Sequence, residues 1–451
     1  MTLRFGTDGV RGVANVDLTP ELVVALGRAA ARVLGADRPF IVGRDTRRSG
    51  PMLQAALSAG LTAEGADVEI AGVLPTPAVA YLSHAHDAPG AMISASHNPF
   101  PDNGIKFFVR GGRKLTDDVE EAIEAQLDAL LSDGPGPDAV EGAGVGTVKP
   151  GRDDLTEYGA HIGAALEGRR LDGIHVVADC ANGAASTVAF WVLHRLGAKV
   201  DVRHAEPDGI NINAGCGATH PDALQSEVVA TGAQVGLAFD GDADRLIAVD
   251  ERGALVDGDH LLAIFALDRL RRGRLPHDSV VATVMANLGL RRAMAEHGIR
   301  LVETQVGDRY VLDAMEAGGF VLGGEQSGHI IVTDLATTGD GLLSGVVLLD
   351  VMARTGRPLS ELASVVTKFP QVLCNVRVTR GQGLDEAAGF WAEVRLVEAE
   401  LGDTGRVLVR RSGTEPVVRV MVEAATADAA AACADRLVSA LTAALGAGGD
   451  A

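Results

Sequence analysis

Asp240-Gly241-Asp242-Ala243-Asp244-Arg245 is the most informative hexapeptide of the chain. Carboxylates at i, i+2 and i+4 of an extended segment fall on one side of it. Crowded in this way, they repel one another and raise each other's pKa unless a cation neutralises them. Ligation by oxygen alone suits a hard cation such as Mg2+. The plainer reading of a bare Asp-x-Asp-x-Asp is a solvated acidic turn. An EF-hand loop would put Glu251 at position 12, but position 6 is Arg245 instead of glycine. Residues 235–239 and 246–249 on either side also read as strands, where an EF-hand needs helices. Arg245 beside the acids points to an anionic partner sharing the cation.

Ser94-Ala95-Ser96-His97-Asn98-Pro99 follows an apolar strand and ends on a proline that stops regular structure. A serine on such a turn is presented to solvent and can act as a nucleophile once activated. Asp102-Asn103-Gly104-Ile105-Lys106 brings a lysine back close in sequence. An Asx or Ser turn is the structural alternative. Arg410-Arg411-Ser412-Gly413-Thr414-Glu415-Pro416 joins two strands, and its guanidiniums, hydroxyls and backbone N–H groups have the donor set of a phosphate cradle. From Arg410 to Arg419 the local charge is +2 in a chain of net charge −20. Phe5-Gly6-Thr7-Asp8-Gly9-Val10-Arg11-Gly12 and Gly43-Arg44-Asp45-Thr46-Arg47 are further arginine-bearing glycine loops. Gly324-Glu325-Gln326-Ser327-Gly328-His329 offers a carboxylate, a hydroxyl and an imidazole in one turn, a set suited to reading sugar hydroxyls.

These loops need strands and helices to position them. Apolar strand-like runs alternate with amphipathic helical stretches for most of the length, the pattern of α/β layers. Thr19 can cap a helix with Pro20 at its first position and Gly35 past its end. Residues 40–42, 68–73 and 91–93 read as strands, and 51–65 as a helix. Residues 132–154 have the Gly/Pro content of a linker. Strands follow at 174–179, 199–202 and 235–239, then at 279–283, 300–303 and 320–322. The last block reads strand, helix, strand, strand, helix. The expected domains are 1–150, 151–252 and 253–367, each α/β, and 368–451, a small α+β unit.

The composition bounds the function. The chain has 451 residues with 47% hydrophobic and 22% charged, ordinary for a globular protein. Its acidic balance argues against nucleic acid and anionic membrane as partners, since both require a basic footprint. Any small anion must then be met by local arginines: Arg11, Arg44, Arg245, Arg410 and Arg419. Cys180, Cys216, Cys374 and Cys433 are too few and too scattered for a disulfide scaffold or zinc ribbon, which fits a reduced cytoplasmic setting. The opening residues lack the apolar core of a signal peptide. The longest apolar run, 342–353, is too short to span a bilayer and is interrupted by Ser344 and Asp350, so a buried helix is expected.

FGTDGVRG, SASHNP, DGDADR, GEQSGH and RRSGTEP, in that order, resemble the blocks of the α-D-phosphohexomutase family, and the resemblance covers essentially the whole chain. The opening block, the 211–219 segment and GEQSGH look most like its amino-sugar branch. The resemblance implies a four-domain phosphohexomutase architecture, three related α/β domains plus a C-terminal α+β domain around a central cleft. It implies that Ser96 is phosphorylated, and that one Mg2+ per chain is held by Asp240, Asp242, Asp244 and an oxygen of phospho-Ser96. Arg11 and Arg245 would steady the phosphoserine, and Lys106 and His329 are candidates for moving the proton of the sugar hydroxyl. Glu325 and Ser327 would hold sugar hydroxyls, while Arg410, Ser412, Gly413, Thr414 and Arg419 would grip the substrate's phosphate.

The implied reaction interconverts glucosamine 6-phosphate and glucosamine 1-phosphate through a 1,6-bisphosphate, supplying amino-sugar precursors for cell-wall synthesis. A hexose or glucosamine 1,6-bisphosphate would be the activator, a sugar phosphate the small-molecule partner, and a homodimer the assembly to test for. Within the family the alternative is a mannose or glucose phosphate mutase. Outside it, a metal phosphatase would use the same serine but hydrolyse the phosphoserine. A non-catalytic sugar-phosphate sensor would require degraded blocks, and none is degraded.

Overall fold

The computed structural model describes residues 4–6, 9–133, 140–378, 383–411 and 417–445. They form two compact units, one of Met1–Met285 with Ile299–Val365 and one of Ala286–Gly298 with Val366–Ala451.

The first unit holds three sheets. In the first, β1 (Val10–Val13), β2 (Phe40–Arg44), β3 (Val68–Val73), β4 (Gly90–Ile93), β5 (Asp102–Phe108) and β6 (Val148–Pro150) lie in the order β1-β5-β4-β2-β3-β6. The pairs β2/β3, β2/β4 and β3/β6 are parallel, whereas β5 runs antiparallel to β1 and β4. The helix Pro20–Leu34 that feeds β2 starts as expected, with Thr19 accepting from the Leu22 N–H and Pro20 in the first turn, and ends at Gly35. In the second sheet, β7 (His175–Asp179), β8 (Lys199–Arg203), β9 (Val235–Phe239), β10 (Leu246–Asp250) and β11 (Leu255–Val256) take the order β11-β10-β9-β7-β8. In the third, β12 (Ser279–Thr283), β13 (Arg300–Thr304), β14 (Leu322–Gly324) and β15 (Ile330–Val332) take the order β13-β12-β14-β15. Central strands such as β9 are buried along their whole length, as parallel strands covered on both faces must be.

The 132–154 segment is less of a linker than its composition suggests. Residues 134–139 lie outside the described ones, but Gly142–Gly144 form a 3-10 turn and β6 adds to the edge of the first sheet beside β3. Asp67 anchors this strand by accepting from the N–H and Oγ1 of Thr147 at 2.7 and 2.6 Å. Proline is tolerated on an edge strand, where its missing N–H breaks no ladder.

The apolar run expected to be a buried helix is Gly341–Thr355. Its one buried acid, Asp350, is matched by Arg169 Nε and Arg354 Nε, each 2.8 Å away. No helix among the described residues is long and apolar enough to cross a membrane.

The second unit contains β16 (Gln371–Arg377), β17 (Arg406–Arg411) and β18 (Val417–Glu423), all antiparallel in the order β16-β18-β17. Helices Ala388–Leu401 and Ala427–Leu445 cover one face of it, burying Phe390, Val394, Val397, Leu437 and Leu441 against Val418, Val420 and Val422. Buried Glu423 ties helix Leu288–Glu296 to this sheet, accepting from Asn287 Nδ2 and from the Leu288 N–H. Arg406 Nε neutralises it at 2.6 Å.

Candidate functional site

The loop after β4 carries Ser96. Its backbone is left-handed, with φ of 51°, an unfavourable region for a residue with a Cβ. The Ser96 N–H donates to Ser94 Oγ at 3.0 Å, and Ser94 Oγ donates in turn to Asp45 Oδ2 at 2.6 Å. The side chain is not presented to solvent as its turn suggested: Ser96 is 1% exposed. The loop after β9 closes over it, and Ser96 Oγ donates to Asp240 Oδ2 at 2.6 Å, with His97 Nδ1 3.3 Å away. Only glycine allows this approach, since a Cβ on Gly241 would lie 2.5 Å from the Ser96 carbonyl oxygen.

Asp240, Asp242 and Asp244 are buried, and each places one carboxylate oxygen within 4.8 Å of the others. The cause differs from simple alternation along an extended chain. The segment is a tight turn, with the Ala243 N–H on the Asp240 carbonyl at 3.0 Å and Ala243 itself at φ 56°. Burial, with Asp244 and Asp242 alongside, pushes the Asp240 carboxyl well above the usual carboxylate range. Burial would raise Asp242 too, but Lys106 Nζ at 3.0 Å and Thr76 Oγ1 at 2.6 Å hold it below that range. Lys106 lies opposite Met92 on β5 and reaches Asp244 at 3.8 Å as well. Asp242 Oδ1 and Asp244 Oδ1 are buried without a hydrogen-bond partner. Three crowded acids with unsatisfied oxygens and no softer donor form a fitting set for a hard metal ion.

His329, at the end of the loop after β14, is 2% exposed. Nδ1 lies 3.6 Å from Asp244 Oδ2, and Nε2 lies 3.5 Å from Asp308 Oδ2. The Gly339 N–H donates to Nε2 at 3.1 Å, which places the proton of the neutral ring on Nδ1. Burial would lower this histidine, but Asp244 and Asp308 outweigh it and raise its pKa. In the same loop, Glu325 Oε1 accepts from the Gly307 N–H at 3.1 Å, and Ser327 Oγ is buried without a partner. The turn holds Gly328 at φ 91° against the Leu246 carbonyl, 2.1 Å from where a Cβ would sit.

Arg245 is tied to the triad through its N–H on Asp240 Oδ1 at 3.1 Å, with Nε 3.7 Å from Asp244 Oδ1. Arg11 lies on β1 opposite Gly104. Burial, then the charges of Arg245 and Arg11, lower the pKa of His97, which locates both arginines at the Ser96 loop. Ser96, Lys106, the three aspartates, Arg11, Arg245 and His329 are thus brought together from three sheets of one unit.

In the second unit, Arg410 and Arg419 face one another across β17 and β18. Like charges directly opposite are unfavourable, and burial together with Arg419 lowers the pKa of Arg410. Such a pair suits a shared anion. Ser412, Gly413 and Thr414 lie outside the described residues.

Of the second arginine-bearing loop, Arg44 is half-buried with Nη1 on the Asp45 carbonyl at 3.2 Å. Arg47, in contrast, is sealed inside the protein at 0% exposure, paired with Asp45. Its loop reads as an anion cradle in sequence, and the structure turns that guanidinium inward. Sequence reasoning also missed Thr76, Asn213 and Asp308. Thr76 offered a signal, a polar residue just past β3 where α/β sheets place their chemistry. Asn213 and Asp308 offered none, because their roles arise from chain crossings.

Four family models match the chain in order. Residues 2–133, 156–253 and 257–369 match phosphoglucomutase/phosphomannomutase alpha/beta/alpha domains I, II and III, and 373–440 match the C-terminal domain. The chain is 54% identical over 457 residues to a phosphoglucosamine mutase of Frankia alni, covering 99% of each. It is 55% identical over 441 residues to one of Acidothermus cellulolyticus, covering 96% of this chain and 94% of that one. The chain belongs to the phosphoglucosamine mutases of the α-D-phosphohexomutase family. It is an isomerase of amino-sugar metabolism that works by phosphoryl transfer. A crystal structure of a phosphoglucomutase/phosphomannomutase family protein from Burkholderia thailandensis superposes with a TM-score of 0.80 at 26% identity, covering 98% of this chain and 97% of that one. Phosphohexomutase architecture, three α/β domains and a C-terminal α+β domain, accounts for all four sheets.

One further acid of this phosphohexomutase bears on stability. Asp340 caps helix Gly341–Thr355 through the Leu343 N–H and accepts from Tyr158 Oη at 2.9 Å. Burial raises its carboxyl from 3.8 to about 6. The folded chain therefore binds this proton more tightly than the unfolded chain, which over that gap is worth about 3 kcal/mol. That stability is complete below pH 3.8 and is lost as pH rises through about 6. Asp340→Asn keeps an acceptor for Leu343 and cannot titrate. The thermal midpoint of wild type minus that of the variant is expected to fall between pH 4.5 and 7.5, and a difference independent of pH would refute the assignment.

Proposed function

We propose that the chain interconverts glucosamine 6-phosphate and glucosamine 1-phosphate through a phosphorylated Ser96 and a 1,6-bisphosphate. The observation that carries this reading is the 2.6 Å contact of Ser96 Oγ with Asp240 inside a buried cluster of acids, Lys106 and His329. Mg2+, held by Asp240, Asp242, Asp244 and an oxygen of phospho-Ser96, would supply charge neutralisation for the transferring group.

In the forward direction O1 of glucosamine 6-phosphate attacks the phosphorus on Ser96. The O1–P bond forms as the Ser96 Oγ–P bond breaks, and Oγ regains a proton to become a hydroxyl. Lys106 and His329 are the candidates to receive the proton of O1. Arg11 and Arg245 steady the phosphoryl oxygens, and Glu325 and Ser327 hold sugar hydroxyls. The bisphosphate then turns round, its 6-phosphate returns to Ser96, and glucosamine 1-phosphate leaves. A single phosphate grip made of Arg410, Ser412, Gly413, Thr414 and Arg419 serves both orientations. Phosphoryl transfer asks chiefly for positioning and charge neutralisation, which is what this residue set offers. A hexose or glucosamine 1,6-bisphosphate would load Ser96 and so act as activator. A cytoplasmic setting goes with a phosphorylated sugar substrate and with four free cysteines.

Relative kcat/KM on glucosamine, glucose and mannose 6-phosphates, with a trace of bisphosphate present, tests the substrate. Glucosamine 6-phosphate is expected to be the best of the three, and its being the poorest would sink the assignment. Free phosphate released per isomerised product separates a mutase from a phosphatase; the expected ratio is far below one.

A further inference from the structure

We infer that Arg47 is a positioning residue for phosphoryl transfer, holding Ser96 in its left-handed backbone from inside the protein. The inference rests on the reading of Ser96 as the phosphoryl carrier. All five N–H donors of this guanidinium are engaged. Nε donates to Asp45 Oδ2 at 2.8 Å. Nη1 donates to the carbonyls of Pro99 and Asp102 at 2.5 and 3.0 Å, and Nη2 to those of Ser96 and Asn98 at 2.9 and 2.8 Å. Four backbone carbonyls of one irregular loop thus converge on one side chain. A loop without helix or sheet partners must satisfy its buried carbonyls somewhere.

A second donor reaches the same carbonyls from the second sheet's side. Asn213 Nδ2 lies 2.9 Å from the Ser96 carbonyl oxygen and 3.1 Å from that of Asn98. A non-glycine residue at positive φ stores strain of the order of 1 kcal/mol and persists only where its surroundings over-determine it. Here the over-determination is visible, for the Ser96 carbonyl is fixed by Arg47 and Asn213 and its N–H by Ser94. Fixing both neighbouring peptides fixes the direction of Cβ, and so aims Oγ at Asp240. Arg47 can touch no substrate, because its guanidinium is enclosed and its donors are all occupied.

Lysine is a poor replacement, since three donors on a point charge cannot span four carbonyls and a carboxylate. For Arg47→Lys, kcat is expected to fall about 100-fold, the scale of a 1 Å misplacement, with KM for the sugar phosphate little changed. A misaimed phosphoserine also loses its group to water, so free phosphate released per isomerised product is expected to rise at least about tenfold. Circular dichroism and the thermal midpoint report whether the variant is folded. If Arg47→Lys does not fold, Asn213→Ala removes two of the same contacts and is expected to shift kcat and the phosphate ratio in the same directions, by about tenfold.

Guanidinium ion added to Arg47→Ala should restore part of kcat, whereas ethylammonium should not. Unchanged kcat and phosphate ratio in a folded Arg47→Lys would overturn the inference, as would a raised KM at unchanged kcat. Were the mutase reading itself wrong, wild type would release phosphate without isomerised product, while the effect of Arg47→Lys on phosphoryl loss from Ser96 would remain measurable.

Discussion

Ser96→Ala is expected to reduce interconversion of glucosamine 6-phosphate and glucosamine 1-phosphate by about 10⁴-fold or more, since it deletes the group proposed to carry the phosphoryl. The fold should barely respond. Alanine occupies the same left-handed backbone, the Arg47 and Asn213 bonds to the Ser96 carbonyl involve no side-chain atom, and the only hydrogen bond lost with Oγ in this geometry is the one to Asp240. Removing that bond should cost about 1 kcal/mol, and less if the freed Asp240 takes up a proton. A large loss of turnover with a nearly unchanged thermal midpoint is therefore the signature. Mass spectrometry adds a second readout, since wild type incubated with a hexose 1,6-bisphosphate should gain one phosphoryl group on the peptide containing residue 96, and the variant should not. Near-normal mutase rates in the variant would eliminate the phosphoserine mechanism. So would full rescue by bisphosphate, which would mean transfer directly between sugars.

Much of this site can be read in the sequence because each reactive loop directly follows a strand. Ser96 comes just after β4, Asp240 just after β9 and Glu325 just after β14, so locating the strands locates the chemistry. What could not be read is which loops meet. The approach of the Asp240 turn to Ser96 depends on sheet order, and on a glycine at 241 whose necessity appears only when the Ser96 carbonyl lies 2.5 Å from a would-be Cβ. Arg47 shows the same limit more sharply. An arginine in a glycine-flanked polar loop has one sequence signature whether it faces an anion or the interior. Here the deciding factor is the pair of buried partners, Asp45 and the carbonyls of residues 96–102, and the latter lie about fifty positions away. The 132–154 segment misled for a related reason, because Gly and Pro mark linkers and edge strands alike, and only the pairing of β6 with β3 separates them. The aspartates of the DGDADR block were grouped correctly on a mistaken geometry: a turn through left-handed Ala243 gathers them, not strand alternation.

Asp240→Asn is expected to separate the metal's contribution from that of the fold, because it should move stability and turnover in opposite directions. Without metal, three buried carboxylates within 4.8 Å have Lys106 and Arg245 as the cations in contact with them. Asp240 is the acid pushed furthest upward by burial and by its neighbours, so converting it to a neutral amide relieves repulsion. The amide oxygen can still accept from Ser96 Oγ. In the presence of a chelator, the variant's thermal midpoint should therefore equal or exceed that of wild type. Added Mg2+ should reverse the order. A ligand that binds only the native state stabilises it by about 2.7 kcal/mol at 100 times its dissociation constant, and wild type should show that rise while the variant shows little or none. Metal neutralisation of a transferring phosphoryl group is worth several kcal/mol of barrier, so turnover in the variant should fall by at least about 10³-fold. Chelated wild type should be equally slow and should recover on adding Mg2+. An undiminished Mg2+ shift in Asp240→Asn, or activity in chelated wild type, would mean that Asp240 does not hold the metal and that the crowding of the three acids serves another purpose.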